Sequence, residues 1–408
     1  MVNLPADFVA ETRRMMGDER FSRFMEALDK ESPTSIRLNP LKTSRLAPLG
    51  SGFSKVPWCS EGYYLESRPQ FTFDPLLHAG CYYVQEASSM FVTHILRTYL
   101  STRPSPPSLA LDMCAAPGGK STAIRSLLPE ECTLISNEPI ANRAQILLEN
   151  ITKWGYANSI VTNNYPKDFR KSRLKFDVIL CDVPCSGEGM FRKDPGAISE
   201  WSMQNVEKCW RLQREIVSEA WDCLNSGGLL IYSTCTYNIK ENEENIQWIL
   251  DNFDAEVMNI PVDPSWQITG SLLDGFTEPV YRFIPGFTRG EGLFACALRK
   301  IDDESAAARG ERFDQKKTKG LNILSPLIPT PSPLSISVDY LTALNYLRGE
   351  AITLPPDTPR GIVDIAYKGF SLGPAKNIGN RANNLYPKAW RIKTTHLPSE
   401  EIKIIDIQ

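Results

Sequence analysis

The feature that most constrains this chain is the alternation, between residues 108 and 300, of short apolar runs with longer amphipathic stretches. Leu109–Met113, Thr133–Asn137, Ser159–Thr162, Phe176–Asp182 and Gly228–Ser233 read as buried strands, short and nearly continuous in apolar residues. Between or after them, Lys120–Leu128, Ile140–Trp154, Gln204–Leu224 and Lys240–Asn252 carry apolar residues at helical spacing. Strand–helix alternation of this kind is the habit of βαβ units, whose strands pair in parallel and are buried on both faces. The expected fold is α/β, a parallel sheet with helices on both sides. Ligands in such sheets bind outside the carboxyl ends of the strands, so the strand-to-loop junctions are where chemistry is to be sought.

The flanks differ in pattern. Phe8, Met15, Met16, Phe21, Phe24, Met25 and Leu28 recur at helical spacing, a strand-like Ser35-Ile-Arg-Leu-Asn39 follows, and a stretch punctuated by Pro and Gly runs to about residue 80. Residues 1–84 are therefore expected to form a small α+β region, ahead of a sheet domain over 85–300. Residues 301–333 open charged and end Pro-rich, a linker composition, and 334–408 remain as a small C-terminal domain. At 408 residues the chain is too long for one core. Its apolar runs stop well short of a membrane span and its start lacks an export signal. Ten cysteines without a CxxC pair suit reduced thiols in a cytoplasm. Three histidines are too few for a His-rich metal site, so no metal is expected.

A net charge of −3 gives no global pull toward nucleic acid, so any such affinity must be local. Arg360–Lys393 holds seven cations against Asp364 alone, with Tyr367, Phe370, Tyr386 and Trp390 interleaved. Two readings stand side by side. The segment is either a surface that grips phosphates and stacks bases, or a half-buried β domain with core aromatics and a solvated basic face.

Three strand ends carry chemistry. Leu111-Asp-Met-Cys-Ala-Ala-Pro-Gly-Gly-Lys-Ser-Thr122 runs from strand through a glycine turn into a helix, which lets backbone N–H groups approach a ligand. Gly119-Lys-Ser-Thr looks like the end of a P-loop, but that motif needs glycine where Cys114 stands. The next strand ends at Asn137-Glu138, where a carboxylate suits ribose hydroxyls. Phe176–Asp182 delivers Asp182 and then Cys185 to a turn broken by Pro184, Gly187 and Gly189. Gly228–Ser233 delivers Cys235 to the same edge, and Asn238 with Glu241 reads as a capping box for the following helix. Two cysteines at one edge without metal-site spacing point to thiol chemistry.

The stretches CAAPGGKS, DVPCSGEG and STCTYN resemble the three signature motifs of the Sun-type RNA cytosine-5 methyltransferases. SIRLNPLKT and HAGCYYVQEASSM resemble that family's N-terminal portion, and NIGNRANNLYPKAWRI the RNA-binding tail of its bacterial RsmF-like branch. The resemblance implies a Rossmann-like S-adenosylmethionine-dependent methyltransferase sheet, a small N-terminal α+β region and a C-terminal β-rich PUA-like domain. It implies a cytoplasmic, monomeric enzyme acting on RNA, small-subunit (16S) ribosomal RNA in the RsmF-like branch. In the family pattern Cys235 is the nucleophile, Cys185 assists product release, and Asp182 with Lys120 holds the cytosine. Cys114, Ala115, Ala116, Pro117, Gly118, Gly119 and Lys120 face the methionine part of the cofactor, Asp182 borders it, and Glu138 faces the ribose. The family usually has an acidic residue at the end of the third strand for adenine; Asn164 stands there in Thr162-Asn-Asn-Tyr165. The chemistry alone does not choose between the two thiols. A competing reading is a nucleotide-dependent RNA-binding factor built on Gly119-Lys120-Ser121-Thr122.

Overall fold

The computed structural model describes residues 4–43, 52–301, 316–325, 334–394, 396–398 and 400–406. The N-terminal unit opens with two helices, Ala6–Met16 and Asp18–Leu28, broken at Gly17. Strands β1 (Thr34–Leu38), β2 (Phe53–Lys55), β3 (Gly62–Leu65) and β4 (Tyr82–Val84) then form an antiparallel sheet in the order β2-β3-β1-β4.

The central sheet is built on β5 (Leu109–Asp112), β6 (Thr133–Asn137), β7 (Ser159–Thr162), β8 (Phe176–Asp182) and β9 (Leu224–Thr234). These five pair in parallel in the order β7-β6-β5-β8-β9. Antiparallel strands follow beyond β9: β10 (Ala255–Val257), β11 (Tyr281–Phe283) and β12 (Leu293–Lys300), with β12 seated directly on β9. The alternation expected of a doubly covered sheet is visible residue by residue. Ala110, Val178, Leu180, Leu229 and Ile231 enter one buried cluster, while Leu109, Leu111, Ile179, Cys181, Leu230 and Tyr232 enter the other. Helices Gly119–Arg125, Ala141–Trp154, Met203–Cys223 and Glu243–Asn252 start and stop within a few residues of their sequence-predicted bounds.

Residues 316–325, inside the stretch read as linker, are docked: β13 (Ile323–Leu324) adds antiparallel to the β7 edge. The charged start and the Pro-rich end of that stretch, 302–315 and 326–333, lie outside the described residues. The C-terminal unit holds β14 (Ser335–Ser337), the helix Tyr340–Arg348, and β15 (Gly361–Tyr367), β16 (Phe370–Asn377) and β17 (Ala382–Asn384) in sequential order. It does not stand apart from the N-terminal unit. Ile36, Leu38, Leu76 and Tyr82 share one buried cluster with Leu344, Leu347, Ile365 and Tyr386. The base-stacking reading of its aromatics is corrected here, because Tyr367, Tyr386 and Trp390 are buried in that core and Phe370 is packed against it. Its cations behave differently: Arg360, Lys376, Arg381, Lys388 and Lys393 are exposed. Among the described residues, no helix is long and apolar enough to cross a membrane.

Candidate active site

All the chemistry-bearing residues arrive at the carboxyl edge of the parallel strands, around the point where strand order reverses between β5 and β8. β5 ends at Asp112, and the chain turns through Met113–Gly118 into the helix Gly119–Arg125. Gly118 sits at φ 113°, open to glycine and strained for other residues. The loop's backbone is held from below and from the side. Ala115 N donates to Asn137 O at 2.7 Å, Arg143 Nη2 to Ala116 O at 2.9 Å and Asn150 Nδ2 to Pro117 O at 2.8 Å. The Cys114 side chain packs into the core beside Met113 and Cys181, and burial pushes its thiol well above the usual cysteine range. What this loop presents is therefore main chain.

Asp112 lies fully buried beneath it. Its Oδ2 accepts from Ser121 Oγ at 2.6 Å, while Oδ1 is buried without a partner among the described residues. Burial, with help from the nearby Asp182 charge, raises its carboxyl to about 7. Glu138 follows β6 and is 1 % exposed. Its Oε1 accepts from Ile140 N at 3.0 Å and its Oε2 lies 3.3 Å from Arg143 Nη1, so Arg143 ties the carboxylate to the loop. Asn164 follows β7, and its amide makes a reciprocal pair with the backbone of Asn322. Oδ1 accepts from Asn322 N at 3.0 Å and Nδ2 donates to Asn322 O at 3.3 Å.

On the other side of the reversal, Asp182 ends β8 and is gripped at both oxygens. Lys120 Nζ stands 2.8 Å from Oδ2 and Ser233 Oγ donates to Oδ1 at 2.7 Å. Burial works against a charged Lys120, but Asp182 outweighs it and raises the ammonium above the ordinary lysine range. Cys185 and Cys235 meet with their sulfurs 3.2 Å apart, and Cys235 N points at Cys185 Sγ at 3.4 Å. Both are free thiols. The hydrogen bond to Cys235 and then burial push Cys185 well above the usual thiol range.

The loops that carry the two thiols are stitched together by residues whose role a single sequence hides. Glu188 Oε2 accepts from Tyr237 N at 2.7 Å and Asn238 N at 3.0 Å, and its Oε1 from Trp201 Nε1 at 3.0 Å. Glu241 accepts from Ser186 N at 3.0 Å, Gln213 Nε2 at 2.7 Å and Asn238 Nδ2 at 2.8 Å. Gly189 N donates to Cys235 O at 2.7 Å. The capping-box reading of Asn238 and Glu241 is half right. Glu241 N donates to Asn238 Oδ1 as a box requires, but Glu241 Oε1 accepts from the Asn238 side-chain amide while the Asn238 backbone N–H goes to Glu188. The helix begins later, at Glu243, and the pair instead locks the Cys235 loop. Glu188 was legible only as part of a motif, since its backbone partners Tyr237 and Asn238 lie 49 and 50 residues away. Arg143 and Ser233 carried no signal of their own.

The P-loop alternative meets an obstacle at each side chain. Lys120 is spent on Asp182, Ser121 on Asp112, and Thr122 Oγ1 on the Gly118 carbonyl at 2.8 Å.

Comparison with known proteins gives three family matches in chain order. They are the N-terminal domain of 16S rRNA methyltransferase RsmF over residues 4–87, 16S rRNA methyltransferase RsmB/F over 99–299, and the methyltransferase RsmF PUA domain over 333–392. The chain belongs to the RsmB/F methyltransferase family. Ribosomal RNA small subunit methyltransferase F of Salmonella agona is 34% identical over 314 residues, 74% of this chain and 64% of that protein. Its counterpart in Escherichia coli O157:H7 is 34% identical over 313 residues, covering 73% and 64%. The chain thus spans a little under two thirds of the length of these relatives. Among solved structures, a methyltransferase homolog from Pyrococcus horikoshii superposes with a TM-score of 0.57 at 28% identity, covering 73% of this chain and 100% of its own. NSun6 from the same organism shares the fold, with a TM-score of 0.59 at 22% identity, covering 73% and 99%. In the RsmB/F family member described here, the three matched segments coincide with the N-terminal unit, the central sheet and the C-terminal unit.

Proposed function

We propose that this RsmB/F-family chain transfers a methyl group from S-adenosylmethionine to carbon 5 of a cytosine in RNA, small-subunit (16S) ribosomal RNA, in the cytoplasm. One observation carries the reading: two free thiols 3.2 Å apart, beside the Lys120–Asp182 pair, at the ligand-bearing edge of the sheet.

The cofactor fits the residues present. The main-chain cradle of Cys114–Lys120 suits the methionine part. Glu138, at the tip of β6, suits the ribose hydroxyls. With Asn164 engaged by Asn322, adenine would meet an amide already paired to backbone. When bound, S-adenosylmethionine supplies an electrophilic methyl group.

Carbon 5 of cytosine is a weak nucleophile. Addition of the Cys235 thiolate at carbon 6 pushes ring electrons toward carbon 5, splitting one hard step into easier ones. Asp182, fixed by Ser233 and Lys120, is placed to hydrogen-bond the polar edge of the ring as its charge changes. After methylation the carbon 5 proton must leave and the Cys235–carbon 6 bond must break. In this reading the carbon 5 proton passes to solvent, and the carbon 5–H electrons reform the ring double bond as the Cys235–carbon 6 bond breaks. Cys185, which holds a proton close to Cys235, assists by donating it toward the departing sulfur. The test is bisulfite sequencing of 16S ribosomal RNA after incubation with the protein and S-adenosylmethionine. New protected cytosines are expected; their absence with a protein that binds S-adenosylmethionine would overturn the reading.

A further inference from the structure

The motif Ser35-Ile-Arg-Leu-Asn39 lies some eighty residues before the cofactor loop, yet the fold brings it against that loop. Ser35, Arg37 and Asn39 alternate along β1 and its end, and all three are buried. Ser35 Oγ donates to Gln85 O at 2.6 Å, and Asn39 Nδ2 donates to Gly80 O at 2.8 Å and Trp154 O at 2.9 Å. Those two side chains stitch β1 to its own unit and to the end of the helix Ala141–Trp154. Arg37 reaches further. Its Nε donates to Gln85 Oε1 at 2.7 Å, and one terminal nitrogen donates to Gly119 O at 3.2 Å and to Thr122 Oγ1 at 2.6 Å. Its guanidinium carbon lies 4.5 Å from the centre of the Trp154 ring.

Thr122 Oγ1 donates in turn to Gly118 O at 2.8 Å. A relay therefore runs from the N-terminal sheet through Arg37 and Thr122 to the left-handed residue at the turn of the loop. Lys120, which pairs with Asp182, sits between the two residues that Arg37 grips. We propose that Arg37 is the positioning residue through which the N-terminal unit holds the cofactor loop and the first turn of its helix in register. This rests on the reading of that loop as the S-adenosylmethionine cradle. The three oxygens that Arg37 donates to are neutral, and burial lowers the guanidinium to about 10, so it stays charged at neutral pH. A cation buried against neutral partners is costly, so what it supplies is geometry more than net stability. A flat fork with several donors can serve Gln85, Gly119 and Thr122 while lying on Trp154. A lysine ammonium cannot match that geometry.

The experiment uses the full chain and four variants: Arg37→Lys, Thr122→Val, the double variant, and Asn39→Ala as a control from the same buried stripe. S-adenosylmethionine affinity is read by calorimetry, and amide hydrogen exchange across 115–126 is read in the ligand-free protein. Arg37→Lys should weaken affinity by about tenfold and speed exchange across the loop, because the loss falls on preorganisation. Thr122→Val should do the same, and the double variant should lose less than the two single losses combined, since both remove the Arg37–Thr122 contact. Asn39→Ala should lower thermal stability yet bind S-adenosylmethionine as the parent does. If Arg37→Lys does not fold, the near-isosteric Thr122→Val carries both readouts. Parental affinity and exchange in Arg37→Lys, fully additive losses in the double variant, or an equal loss of affinity in Asn39→Ala would overturn the proposal. A parent protein that does not bind S-adenosylmethionine would instead overturn the proposed function, and the exchange data would still decide whether Arg37 holds the loop.

Discussion

A thiol that keeps its proton at neutral pH is a poor nucleophile and a good proton holder. Cys185 is in that position, because the hydrogen bond to Cys235 and burial both favour its protonated form. The two cysteines should therefore fail differently. Cys235→Ala should form no covalent species with 5-fluorocytosine RNA, whose fluorine blocks elimination. Cys185→Ala should methylate once and then accumulate a protein–RNA species that survives denaturing electrophoresis. An adduct that persists in Cys235→Ala and vanishes in Cys185→Ala would reverse the roles. Glu241, behind the same loops, allows a second prediction. Burial, and then the Glu188 charge, raises its carboxyl to about 7 from 4.5. The native state thus keeps a proton that the unfolded chain has lost over that window, so this group's contribution to stability falls as pH rises from 4.5 to 7. Glu241→Gln should flatten the fall in unfolding free energy between about pH 5 and about pH 8, by up to about 3 kcal/mol. Denaturant unfolding at the two pH values measures it, and parallel pH curves for parent and variant would rule it out.

The two loops after β8 and β9 behave as one element. Glu188, Glu241 and the Ser186–Thr236 hydroxyl contact at 2.9 Å join them, and Gly189 lets them touch. A Cβ on Gly189 would stand 2.6 Å from Cys235 O and 3.0 Å from Gly292 Cα, both main-chain atoms that cannot swing aside. Gly189→Ala should therefore shift the Cys235 loop, lowering single-turnover methylation by about 100-fold at a stability cost of about 1–3 kcal/mol. Parental turnover in a folded variant would show that the loop tolerates the displacement. At this scale much was legible from the chain alone. The strands Thr133–Asn137, Ser159–Thr162 and Phe176–Asp182 follow from short apolar runs, and their ends fix where Asp182 and Cys185 arrive. The partners of those ends were not legible. Arg37 with Thr122, Glu188 with Tyr237 and Asn164 with Asn322 are joined across 49 to 158 residues, and neither periodicity nor propensity reports such contacts.

For the whole molecule, the shared core of the N- and C-terminal units changes how RNA affinity should be tested. Removing residues 334–408 would strip Ile36, Leu76 and Tyr82 of apolar partners such as Leu344 and Ile365, so any loss of binding would be confounded with loss of fold. The interleaved aromatics of Arg360–Lys393 misled for a related reason. Strand alternation points Tyr367 inward, and Tyr386 and Trp390 close the same core, which left the cations alone on the surface. A basic face without exposed rings can hold phosphates but offers no platform for stacking. The prediction is accordingly electrostatic. Lys376→Ala, Arg381→Ala and Lys388→Ala together remove three exposed cations without touching a buried side chain. If each neutralises one phosphate, the slope of log affinity against log salt should become shallower by about 2–3, and affinity at low salt should fall. Thermal unfolding and S-adenosylmethionine affinity should stay at parental values, because these side chains lie outside both the core and the cofactor cradle. Filter binding to 16S ribosomal RNA across a salt series measures the slope. An unchanged slope would move the phosphate contacts to other parts of the molecule, and a loss of affinity with no change in slope would mean that these residues act through shape rather than charge.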